Sequence, residues 1–215
     1  MKLLLNKKFI AAEFVILCLC LPTYIIVSKS AAFMFNFLWG AALYSAFILY
    51  TCYKPYFNSS WKWQAVNFEN MRSILVRWSI ACVAMTVFIW IYDPERMFGL
   101  LKVRPEFVPV LLVAYPVFSA LPQELIFCTF FFKRYEAFFG NGMKMVAASA
   151  LIFAYAHILY INPVAPTLSL VGGIIFALTY LRTQSLALVT IEHGLYGNFL
   201  FLIGLGWYFY GGSVQ

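Results

Sequence analysis

The chain has 215 residues, of which 64% are hydrophobic and 11% charged, and its formal net charge is +7. A soluble domain carries about 25% charged residues, so this composition excludes a soluble globular protein, as does a mean hydropathy of +0.84. The cations are spread over the segments between apolar runs rather than gathered on one face, which argues against a nucleic-acid partner.

A helix crosses about 30 Å of hydrocarbon with about 20 apolar residues. Runs of this kind cover residues 9–28, 32–52, 73–92, 107–132, 143–160, 165–181 and 185–209. They are continuously apolar, whereas barrel strands alternate. The predicted fold is therefore all-α, a polytopic transmembrane helical bundle of about seven spans, with eight as the other count. The first run follows Lys7-Lys8 as a secretory leader would. It is longer than the usual leader core of about 7–15 residues, and no convincing cleavage site lies near Ser28-Lys29-Ser30, so an uncleaved first helix is expected.

Between the second and third runs, Tyr56, Trp61 and Trp63 stand among Lys54 and Lys62, a composition suited to the headgroup level of a bilayer. Asp93-Pro94 and Arg104-Pro105 then stop the third helix and start the fourth. No break is long enough for a soluble module, so residues 1–215 read as a single membrane domain. Gly172, Gly173 and Ala177 form a small-residue face for close helix packing. The cysteines, Cys18, Cys20, Cys52, Cys82 and Cys128, have no metal-type spacing and read as free thiols.

Lys and Arg are retained on the cytoplasmic side. With the N-terminus inside, the inner segments hold ten cations (Lys2, Lys7, Lys8, Lys54, Lys62, Arg72, Lys133, Arg134, Lys144 and Arg182). The outer loops hold four, namely Lys29, Arg96, Lys102 and Arg104. The expected location is a multi-pass integral membrane protein of the plasma (inner) membrane with a cytoplasmic N-terminus.

Ionisable groups at membrane depth cost about 2.5–3.5 kcal/mol each on insertion scales, so they invite a functional reading. Here they are Glu13, Arg77, Glu124, His157, Glu192 and His193, which include both histidines of the chain. Counting about 1.5 Å per residue brings Glu124, His157 and His193, from three separate helices, into one band near mid-membrane. Such groups serve either as interhelical hydrogen bonds or as one site. Pro122, just before Gln123-Glu124, predicts a fresh helix start or a kink there. Phe153 and His157 share a helix face at i, i+4. Glu13 and Arg77 can pair with each other, and Glu192 is either an interhelical group or a second carboxylate. Lys133 and Arg134 read as boundary cations, with reaching back to a carboxylate as the alternative.

In chain order these residues resemble the CAAX prenyl protease and bacteriocin-processing family of intramembrane proteases. Its signatures are Glu-Glu-x-x-x-Arg after a proline-containing entry, then Phe-x-x-x-His, then His-x-x-x-Asn. Phe153 and His157 match the second without change. The first reads Gln123-Glu124-Leu125-Ile126-Phe127-Cys128, with Gln at the leading Glu and Cys at the Arg. In the third, Gly197 stands four residues past His193 and Asn198 five past. The resemblance covers about residues 106–210.

It implies an intramembrane endopeptidase that hydrolyses a peptide bond of a membrane-associated protein or peptide. The implied site is Glu124 and His157 activating water, with His193 and Asn198 steadying the oxyanion. The partners implied are that substrate and the lipid bilayer. A glutamine cannot act as a base, so a non-catalytic relative, a membrane binding or self-immunity protein, is the alternative. A small transporter using Glu13, Arg77 and Glu124 is a third class, disfavoured by the lack of an inverted repeat. A Glu with two His can form a catalytic zinc set, but no His-Glu-x-x-His helix is present. No cofactor is expected, and zinc remains the alternative.

Overall fold

In hydrocarbon every backbone N–H and C=O must be satisfied within its own segment, which leaves helices as the economical solution for long apolar runs. The computed structural model describes residues 3–209; Lys2, counted among the inner cations, and residue 210 of the resembling region lie outside them. Among the described residues, seven helices are long and apolar enough to span a bilayer: α1 (Lys7–Val27), α2 (Ala31–Cys52), α3 (Phe68–Tyr92), α4 (Pro105–Arg134), α5 (Met143–Tyr160), α6 (Val164–Thr183) and α7 (Leu186–Ile203). There are no strands among the described residues.

Local chemistry sets the ends. Asn6 accepts from the Lys8 N–H at 2.8 Å, and Asn67 accepts from the Asn70 N–H at 3.0 Å, capping α1 and α3. Ser185 caps α7 by accepting from the Leu188 N–H at 3.1 Å. Its hydroxyl also reaches the Trp61 and Lys62 carbonyls, pinning the stacked Trp61–Trp63 segment to the start of α7. Residues 185–209 do not form one helix as expected. Gly204, at φ 112°, ends α7 and turns Leu205–Phe209 back as a short 3-10 segment. In that backbone region a side chain is strained, which is why glycine ends the helix there.

The most buried span, α7, packs against α3, α4 and α6, while α5 lies along α6. Where α5 and α6 meet, a Cβ on Gly173 would sit 3.0 Å from the Ala150 Cα and 3.2 Å from the Phe153 ring. The small-residue face is used as the sequence suggests, and it holds Phe153 in place.

Glu13 and Arg77 do not pair with each other. Arg134, buried and not a boundary cation, holds Glu13 through Nε–Oε2 at 2.5 Å and Nη2–Oε1 at 3.0 Å. The Tyr44 hydroxyl also donates to Glu13, so α1, α2 and α4 are tied at one point. Removing one partner of a buried ion pair leaves an uncompensated charge, at about 3–5 kcal/mol. Glu13→Ala is expected to lower stability by about that much, read as a lower midpoint in reversible SDS unfolding. An unchanged midpoint contradicts the role given to the pair.

Candidate functional site

The site is built around α4, whose course departs from a regular helix. Pro116 and Pro122 have no N–H to donate to the preceding turn. Two π segments, Pro116–Ala120 and Leu125–Phe130, flank the α-helical turn Leu121–Glu124. The helix runs through rather than starting afresh at Pro122, so the proline effect is a shift in register. A π turn adds a residue per turn and re-aims the side chains beyond it.

That register divides the Gln-Glu pair. Gln123 lines a cavity of about 1390 Å³ to which residues of all seven spans contribute, together with His157 and His193. Its Nε2 donates to Ser119 Oγ at 2.9 Å, and its Oε1 is buried without a partner. Glu124 is not part of the cavity wall and is only 1% exposed. Its Oε1 meets His193 Nδ1 at 2.7 Å. An ionised carboxylate only accepts, so Nδ1 carries the hydrogen and Nε2 is left as an acceptor.

His193 is clamped. Its ring stacks on Phe176 with centroids 4.5 Å apart and meets the Phe153 edge at 5.8 Å. His157 ends the regular part of α5, and its Nδ1–H donates to the Phe153 carbonyl at 2.7 Å. That bond fixes the neutral tautomer with Nε2 as an acceptor. Both imidazoles thus pack against Phe153, whose ring is 4.6 Å from that of His157.

The other expected members are placed elsewhere. Asn198 Nδ2 donates to the Leu112 carbonyl at 3.1 Å and does not line the cavity. Five positions beyond His193 on a regular helix is a rotation of about 140°, enough to turn a side chain to another neighbour. Glu192 is an interhelical group: Arg77 Nη2 reaches its Oε1 at 2.8 Å and Thr179 Oγ1 at 3.1 Å. Among the described residues no three His, Cys, Asp or Glu side chains gather as metal ligands.

Tyr115 is a residue that the motifs did not bring forward. It lines the cavity, and its hydroxyl lies 3.0 Å from His193 Nε2. It stands eight residues before Gln123, about two turns away on the same helix, and that spacing was the signal available. The cavity is lined mainly by apolar side chains. Its lining residues Ile80 and Phe118 are 66% and 56% exposed, and both lie in mid-span.

Residues 105–209 match the family model described as type II CAAX prenyl endopeptidase Rce1-like, about half of the chain. The matched segment holds α4–α7 and, with them, Tyr115, Gln123, Glu124, His157 and His193. No curated protein and no solved structure shows a match to the chain.

Proposed function

We propose that this chain, a member over residues 105–209 of the Rce1-like family of type II CAAX prenyl endopeptidases, hydrolyses a peptide bond of a membrane-associated peptide or protein. The observation that carries the reading is His157: its Nδ1–H is held by the Phe153 carbonyl, so an unprotonated Nε2 remains on a ring that lines the cavity. A water held at this Nε2, in the cavity that Gln123 also lines, loses a proton to Nε2 as its oxygen attacks the carbonyl carbon. The C–N bond then breaks, and the leaving amine takes the proton from the His157 imidazolium. Gln123 positions water without taking its proton. Glu124 acts from behind, by fixing His193 and stabilising the charge it takes up, and the oxyanion develops beside that ring.

In this reading the chain works as one membrane domain whose reactive half is about 106–210, with its N-terminus in the cytoplasm as the cation asymmetry suggests. The apolar cavity suits a substrate anchored by its own apolar segment or lipid. No residue is assigned to a metal. Incubation with a chelator is expected to leave cleavage unchanged, and loss of turnover restored by zinc counts against an imidazole base. The principal test is cleavage of a tagged, membrane-anchored peptide by the purified protein in detergent. Turnover that persists in a double His157→Ala, His193→Ala variant contradicts the reading.

Gln123 favours one second reading, a non-catalytic relative that binds a peptide in the same cavity. Under it the parent binds the peptide without cleaving it, and Gln123→Glu is expected to bring turnover to the cavity. Under the hydrolase reading the parent already turns over.

A further inference from the structure

Gly197 stands where the resembling family carries a polar side chain, and the space is occupied from another helix. A Cβ built at Gly197 falls within the Tyr115 ring, overlapping its Cε1, Cζ and hydroxyl. Gly194, one turn earlier on α7, leaves the companion notch: a Cβ there would lie 3.0 Å from Pro116 Cγ. The two glycines let α4 approach α7 closely along Tyr115-Pro116. Pro116 opens the π segment that carries the chain on to Gln123 and Glu124. The same stretch of α4 therefore presents two groups to one imidazole, Glu124 at Nδ1 and Tyr115 at Nε2.

We infer that Tyr115, admitted by the Gly197 notch, completes a Glu124–His193–Tyr115 relay whose phenol hydroxyl serves the cavity. With His193 neutral, Nδ1–H donates to Glu124 and the Tyr115 O–H donates to Nε2. When Nε2 takes up a proton delivered from the medium by cavity water, its N–H donates to the phenol oxygen and the phenol O–H is released to turn into the cavity. The phenol keeps its own proton, and His193 returns the added one to the medium once the oxyanion has collapsed. The released hydroxyl is then a donor for an oxyanion formed beside His193, on the wall that Tyr115 itself lines. The relay is how charge on His193 becomes a hydrogen-bond donor facing the substrate. This role rests on the hydrolase reading, whereas the hydrogen-bond chain itself does not.

The chain has only two histidines, so 15N-histidine labelling in detergent gives ring signals from His157 and His193 alone, and His157→Ala assigns them. Tyr115→Phe keeps the ring in the notch and removes the hydroxyl. Its expected result is a displaced Nε2 resonance for His193 with His157 unmoved, and a kcat lower by about 10²-fold, the usual effect of one lost oxyanion donor, with KM within about twofold. Gly197→Ala, which drives the ring from the notch, is expected to displace the same His193 signal. His193 signals unaltered by both variants overturn the relay, whatever the activity. If the parent cleaves nothing while Tyr115→Phe still displaces the His193 signal, the relay stands and the hydrolase reading falls.

Discussion

His157→Ala is expected to lower kcat for a membrane-anchored peptide by about 10²–10⁴-fold, the usual contribution of a positioned general base. The substitution removes the unprotonated Nε2 and the Nδ1–H bond to the Phe153 carbonyl together. His157 ends the regular part of α5, and Phe153 remains wedged against Phe127 and Phe176, so the fold has little reason to fail. Peptide binding is accordingly expected to survive. Matched binding with turnover lowered by that factor is the outcome the base role requires. Equal turnover in variant and parent removes His157 from the chemistry.

Glu124→Gln is expected to cost a comparable factor, about 10²–10⁴ in kcat, by a different route. The glutamine has nearly the same shape, but its amide can donate to His193 Nδ1 where the carboxylate only accepts. The imidazole then loses both its charge partner and its preferred tautomer, and Nε2 no longer accepts from Tyr115. Catalytic triads show how severe this can be, since replacing the buried carboxylate there leaves the geometry intact but selects the wrong tautomer. Because Glu124 is absent from the cavity wall, KM is expected to hold while kcat falls. A raised KM at constant kcat would instead mean that Glu124 meets the substrate.

The seven spans were legible because their signal is additive: about 20 apolar residues in a row are hard to mistake. The site was legible in part. His157 and His193 stood out because the chain has no other histidine, and Glu124 because a membrane-depth carboxylate is costly. Which of Gln123 and Glu124 faces the cavity was not readable. That depends on π turns around Pro116 and Pro122, and counting at 3.6 residues per turn does not register them. Partner choice was hidden for a similar reason. Glu13 is joined to Arg134 and Glu192 to Arg77 across sequence gaps of more than 100 residues, which no local pattern encodes. Asn198 was drawn in by its closeness to His193 in sequence, and one residue of helical rotation sends it to the Leu112 carbonyl instead. Tyr115 was missed because the space it fills is written as a glycine on another helix.

The account turns on water being the nucleophile in a cavity whose base is His157. Purified protein incubated with an anchored, tagged peptide in H2(18)O, followed by mass spectrometry of both fragments, tests this directly. The expected result is a single 18O in the new carboxyl group with parent protein and product formed about 10²–10⁴-fold more slowly with His157→Ala. Cleavage without label, or the same labelled product at the parent's rate from His157→Ala, would contradict it.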